Sequence, residues 1–287
     1  MQEHISSNTI LPICFTIFLQ YTMKKILRYT IICCSFLVAI TCKAQAQKTK
    51  KVKVEYYRIT VYHFAGKEQE QLLDEYLEKA LLPYLHKNQF KSIGVFKPIA
   101  NDTAADKKLY VYIPSNTIEA LTKIESLMYN DSAFRLAAKP YLTAAFDKPP
   151  FTRYQNMLMK AFRLATKMNV PVLNSAKAER IYELRSYESA TDSLYSNKVH
   201  MFNEGHEIEL FKKLNFNAVF YADVLMGDRM PNLIYMTCFE NMAIRDEHWK
   251  AFGSSPEWKA MSSSPFYQHN VSKADIILMH ATPFSDF

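Results

Sequence analysis

Glycine is scarce in this chain, with 5 in 287 residues. No G-x-G-x-x-G, P-loop, G-x-S-x-G or C-x-x-C occurs, which removes the usual phosphate-cradling, nucleophile-elbow and thiol-redox motifs. Cysteine is nearly absent from the body of the chain. Of the 5 cysteines, Cys14, Cys33, Cys34 and Cys42 all precede residue 47, and Cys238 stands alone beyond it. One thiol excludes an internal disulfide and a cysteine-rich metal site. Its place in a strand-forming run reads as a buried, inert sulfur. Excess charge is modest too. The formal charge is +7, but Lys24, Lys25, Arg28 and Lys43 against Glu3 give residues 1–47 a net +3, which leaves +4 for the rest. No stripe of Lys and Arg suits a nucleic-acid surface, so no nucleic-acid partner is expected. What the chain has is 49% hydrophobic and 14% aromatic residues, enough for one large or two small cores.

The N-terminal segment reads as an export signal. We place the initiator at Met23. Lys24, Lys25 and Arg28 form a basic region, Tyr29 to Thr41 an apolar run too short to span a bilayer, and Ala44-Gln45-Ala46 a cleavage site. A signal peptide over residues 1–46 predicts a periplasmic or secreted product with no membrane contact after cleavage. An uncleaved anchor and a lipid on Cys42 are the alternatives, the second weakened by the poor lipoprotein box Ala39-Ile40-Thr41.

The remainder alternates strand-like and helix-like patterns. Val54 to Phe64, Lys91 to Ile99, Lys107 to Pro114 and Arg153 to Phe162 read as strands. Between them, Lys67 to Asn88 carries an apolar stripe at helical spacing, with Pro83 late in it, and Asn116 to Ala145 reads as a helix broken at Asn130-Asp131-Ser132. This β-α-β-β-α-β order is ferredoxin-like. Residues 163–178 read as a linker, and the order then recurs. Strands at Glu179 to Tyr187, Asn217 to Leu225, Asn232 to Phe239 and Lys273 to Ala281 frame a helix at Asp192 to Leu214 and a broken helix over Met242 to Met261. Tyr57 and Tyr62 align with Tyr182 and Tyr187, and Leu109 to Ser115 with Leu233 to Phe239. This is an internal repeat of about 125 residues. The expected fold is α+β, two tandem ferredoxin-like domains over 47–162 and 179–287.

The second half resembles the NIPSNAP family. The resemblance rests on ERIYELRSY, GHEIELFKKLNFNAVFYADVLMG, PNLIYMTCFENMAIRDEHWKAFGSSPEWKAM and the ending PFSDF, and the first half follows the same plan more loosely. It implies dimeric α/β-barrel domains, hence a homodimer or an intramolecular equivalent, and it implies no reaction. At the level of the fold only, such barrels also include small monooxygenases and haem-handling enzymes.

Side chains alternate along a strand. On that basis Tyr182 and Leu184 are expected to face the helices. Glu183, Arg185 and Tyr187 are expected to face the barrel interior, joined by Tyr221, Asp223 and Tyr235 as a pocket for a small ligand. The bland alternative is a satisfied polar network. The matching face of the first half carries Arg58, Thr60 and Tyr62 without the Glu/Arg pair, so the second half is the expected location. The first reading is thus a small-ligand-binding or assembly module, and the competing one is a small, cofactor-independent, monooxygenase-like enzyme working in the barrel of the second domain. No cofactor or metal is expected. His200 and Glu204 share a helix face, but Leu210 stands where H-E-x-x-H needs its second His. His280 is expected on the helix side, which counts against a haem ligand. Trp249, Phe252 and Trp258 read as core, and His248 as a surface residue.

Overall fold

The computed structural model describes residues 52–287 and, within the N-terminal segment, Tyr21, Met23, Lys25 and Thr30. The cleavage site at Ala44-Gln45-Ala46 and the alternative lipid site at Cys42 lie outside the described residues. Residues Met1–Lys51 and Val52–Phe287 are separate units.

In chain order the strands are β1 (Tyr56–Phe64), β2 (Gly94–Pro98), β3 (Lys107–Ser115), β4 (Arg153–Ala161), β5 (Ile181–Glu188), β6 (Ala218–Met226), β7 (Asn232–Phe239) and β8 (Lys273–Ala281). They close into a barrel in the order β1-β3-β2-β8-β5-β7-β6-β4. Every pairing is antiparallel. Each half lays its strands fourth-first-third-second, and the seams are β2 with β8 and β4 with β6. The barrel therefore closes within one chain, and closure needs no second copy.

Helices cover the outside. In the first half these are α1 (Lys67–Tyr76), α2 (Leu82–Lys87), α3 (Ile118–Thr122), α4 (Ile124–Met128), α5 (Ser132–Ala137) and α6 (Lys139–Leu142). A π-helical turn, Leu77–Leu81, joins α1 to α2. It lies just upstream of Pro83, whose missing N–H would otherwise leave a gap in the ladder, so the helix continues through the proline instead of ending there. In the second half they are α7 (Asp192–Asn203), α8 (Glu207–Lys213), α9 (Met242–Ser254) and α10 (Pro256–Ser263). The spacing over 192–214 predicts one helix, yet it breaks at Gly205-His206, where His206 has φ 67°. A Cβ on Gly205 would sit 2.5 Å from the Met201 carbonyl oxygen and 2.7 Å from Tyr267 Oη, so the tight crossing requires glycine. The breaks at Asp131 and Ser255 are capped helix starts: Asp131 accepts from the Phe134 N–H and Ser255 from the Trp258 N–H.

The barrel faces are the reverse of the sequence expectation. Tyr182 and Leu184 point inward, in one apolar cluster with Tyr57, Tyr112, Phe220 and Met236. The Tyr112 and Phe220 rings stack at 4.9 Å, and the Phe287 ring packs edge-on to Phe96 and Tyr182. Glu183, Arg185, Tyr187, Tyr221 and Tyr235 lie instead on the helix-packed face. Eight strands leave an interior just wide enough for side chains to fill. Aromatic rings fill the middle of the interior, and a hollow of about 380 Å³ remains at one mouth. Cys238 is inside, fully buried, and burial pushes its thiol up to about 12. His280 is outside the barrel cluster, with Nδ1 3.0 Å from the Arg180 carbonyl oxygen.

Candidate functional site

Between the second-half sheet and its helices lies a closed polar network. Glu183 is 0% exposed. A carboxylate stripped of water costs several kcal/mol unless donors replace the water. Three do. Arg185 Nε stands 2.5 Å from Oε1, and Arg245 Nε (2.7 Å) and Trp249 Nε1 (2.9 Å) donate to Oε2. Arg245 and Trp249 are one turn apart on α9, which places both over the strand. Burial alone would raise the Glu183 pKa, but the hydrogen bonds from Arg245, Trp249 and Arg185 and the charge of Arg185 outweigh it and hold the carboxyl below its ordinary range. The Arg185 guanidinium also lies 3.5 Å from the centre of the Trp249 ring and donates to Tyr187 Oη, which meets Tyr235 Oη at 2.9 Å.

Of the six residues read as a pocket, Glu183, Arg185, Tyr187 and Tyr235 thus form one chain of contacts. Tyr221 joins it only through its ring, stacked 5.7 Å from Tyr235. Asp223 is drawn away by Tyr195 Oη at 2.6 Å. Phe202, Phe211 and Phe252 pack beside them under the helices. Sequence reading missed the second half of this network. Lys198 and Glu207 are 3% and 2% exposed and pair at 2.8 Å. The Lys198 ammonium sits 4.7 Å from the Phe202 ring centre. A lysine among apolar helix positions was the available signal.

The remaining polar candidates are taken. His200 Nδ1 meets Tyr267 Oη at 3.0 Å, and Glu204 pairs with Arg163. Trp249, Phe252 and Trp258 belong to the core cluster. His248 departs from the surface expectation: it is half-buried against Phe216 and Phe239.

The matching place in the first half is open. There Thr60 stands opposite Val111 on β3, where the second half has Arg185 opposite Tyr235. Two small side chains replace two large ones, and a cavity of about 340 Å³ remains between sheet and helices. Arg58 stands in its wall where the second half has Glu183. Its residue exposure is 8%; its Nη1 donates to Glu125 Oε1 (2.7 Å) and the Leu121 carbonyl (3.2 Å), while Nε is buried with no partner among the described residues. Thr60 Oγ1 donates to Asn156 Oδ1 at 2.6 Å. Tyr62, Tyr76 and Tyr141 form an aromatic wall, with Tyr76 and Tyr141 stacked at 3.8 Å. Burial pushes the Tyr62 hydroxyl up to about 12, so it stays a neutral donor. The cavity at this place in the fold therefore lies in the half that does not carry the expected pocket residues.

Other hollows are built differently. A larger one, about 510 Å³, runs past Glu55, whose carboxylate already accepts from the Met168 N–H. One of about 380 Å³ lies at a barrel mouth, where His63 meets Asp106, Arg229 meets Glu188 and Asp275, and Asp228 accepts from Gln155 Nε2. One of about 360 Å³ lies between α8 and α10, beside Leu210 and Met261.

Solved structures similar to this one include a candidate monooxygenase of Fusobacterium nucleatum, with a TM-score of 0.53 and 7% identity over 80% of this chain and 93% of the other. A candidate monooxygenase of Lactobacillus acidophilus aligns with a TM-score of 0.50 and 10% identity over 79% of this chain and 94% of its own. At such identities the likeness shows the fold alone. A NIPSNAP-like domain protein of Burkholderia xenovorans aligns at 17% identity over 38% of this chain and 90% of its own, with a TM-score of 0.34 that is too low to carry an argument. No curated protein matches the sequence. Residues 182–286 do match the NIPSNAP family, across β5 to β8 and the network around Glu183. The C-terminal half of the chain accordingly carries a NIPSNAP domain.

Proposed function

We propose that this protein is an exported small-molecule-binding module made of two tandem ferredoxin-like units. In this reading the C-terminal unit holds the barrel together and the N-terminal unit holds the ligand. The observation that carries the reading is the replacement of an Arg185–Tyr235 pair by Thr60 and Val111 at equivalent places, which leaves a cavity of about 340 Å³ with a buried cation in its wall. Small-ligand sites have this size, a mostly apolar lining and a few fixed polar groups. The barrel interior and the cavity lie on opposite faces of the same sheet, so packing on one face does not fill the other.

A thermal-shift screen of the chain from Gln47 onward, run beside Val111→Tyr, tests the binding reading. The substitution copies the filled half. A compound that raises the melting temperature of the wild type and not of Val111→Tyr supports it; compounds that stabilise both alike, or none at all, reject it. Export is tested by sequencing the N-terminus of the product made from the full chain. A product beginning at Gln47 outside the cytoplasm supports it, and one retained inside with Met23 intact rejects it.

A further inference from the structure

The cavity reading leaves the ligand's chemistry open, and the lining narrows it. The Arg58–Glu125 pair is lopsided. The Arg58 side chain is 10% exposed and the Glu125 side chain 43%. Glu125 therefore has water to turn to if it lets go, and its exposed contact adds little stability. Arg58 has no such alternative: an unpaired guanidinium at that depth is costly. It is fixed at one end by the Leu121 carbonyl and keeps Nε without a partner among the described residues. A planar anion such as a carboxylate matches the fork of a guanidinium with two parallel hydrogen bonds. Beside the cation stand flat rings, Tyr62, Tyr76 and Tyr141, and at the rim the exposed rings of Tyr129, Phe146 and Tyr154.

We propose, building on the binding role above, that the N-terminal cavity takes a small aromatic carboxylate, with Arg58 as the anion receptor and Glu125 as a built-in placeholder that the ligand's carboxylate displaces. The step is an exchange of one ion pair for another and makes no covalent bond. In the empty cavity Glu125 keeps Arg58 paired. When ligand enters, its carboxylate takes the guanidinium, its ring lies against the tyrosine wall, and Glu125 turns outward to solvent. The volume accommodates one or two fused rings.

The test is a titration of the chain from Gln47 with 2-naphthoate and its neutral isostere 2-naphthamide, in wild type, Arg58→Gln, Glu125→Gln and Val111→Tyr. The expected result is that naphthoate binds the wild type, that Arg58→Gln weakens it about tenfold or more, and that naphthamide binds no better than naphthoate does to Arg58→Gln. Glu125→Gln removes the competing charge and is expected to tighten naphthoate about threefold or more. That gain cannot come from a damaged fold, so it guards against misfolding of the Arg58 variant. Equal binding of acid and amide to the wild type, with both lost in Val111→Tyr, overturns the anion and leaves the cavity reading standing. Naphthoate binding unchanged in both Arg58→Gln and Glu125→Gln overturns the receptor and placeholder roles. Failure of naphthoate to bind the wild type overturns the ligand class, while the compound screen decides the cavity reading separately.

Discussion

Arg58 and Glu183 occupy the same place in the two halves with opposite charge. Arg58 lies opposite Ile113 and Leu158, and Glu183 opposite Thr237 and Leu278. Each is buried under a helix that brings its counter-charge, Glu125 over Arg58 and Arg245 over Glu183. The difference is saturation. Glu183 accepts from three donors, whereas Arg58, in the wall of the cavity, keeps a buried donor without a partner among the described residues.

Removing Glu183 strands a buried cation. Glu183→Ala is expected to cost about 3–5 kcal/mol, since Arg185 stays behind without a counter-charge while Arg245 keeps only Asp246. Denaturant unfolding checks this. A cost below about 1 kcal/mol would mean that water enters the network freely.

The same carboxyl sets a pH dependence. Its folded-state pKa lies below the ordinary 4.5, so its contribution is present above 4.5 and is lost as pH falls through the folded value. Asp223 runs the other way. Burial raises its pKa against the hydrogen bond from Tyr195, so its ionised form weakens the fold above the ordinary 3.8, and acidification relieves that cost. Melting temperature followed from pH 7 down to pH 3 is therefore expected to fall less steeply below pH 4.5 in Glu183→Gln than in the wild type. In Asp223→Asn the acid-side fall is expected to be steeper, because the compensating gain is gone. Parallel curves for all three proteins would remove both assignments.

Lys198 and Glu207 are expected to be strongly coupled. Either Lys198→Met or Glu207→Gln alone is expected to cost about 3–5 kcal/mol, and the double variant much less than the sum. A double-mutant cycle by urea unfolding measures this, and additive costs would show that the buried pair contributes no mutual interaction.

Inside the barrel, Tyr112 and Phe287 make opposite forecasts. The Tyr112 hydroxyl is buried without a partner among the described residues, so Tyr112→Phe is expected to leave stability unchanged or raise it by about 1 kcal/mol. Phe287 fills the space between Phe96, Tyr112 and Tyr182, so Phe287→Ala is expected to cost about 3 kcal/mol or more. Chemical denaturation of both variants decides. A large loss in Tyr112→Phe would reveal a partner for the hydroxyl.

Strand and helix order was legible because it rests on period and punctuation. Lys273 to Ala281 reads as a strand and is one to the residue, and the helix breaks announce themselves in Asp131 and Ser255, both N-caps. Facing was not legible. Alternation along β5 separates Glu183 and Arg185 from Tyr182 and Leu184, but it does not say which set lies inside. That depends on what the helices bring, and Arg245 and Trp249 arrive 62 and 66 residues later in the chain. The cavity was hidden for a related reason. Thr60 and Val111 are unremarkable by type, and only the register that sets them against Arg185 and Tyr235 shows what is missing.

The account's central claim is that the ligand sits between sheet and helices in the N-terminal half. A crystal structure of the chain soaked in 2-naphthoate tests it most directly. The predicted result is density between Arg58 and the Tyr141 ring, with the Glu125 carboxylate turned out to solvent. Density at the barrel mouth beside His63, with Arg58 still paired to Glu125, would contradict it.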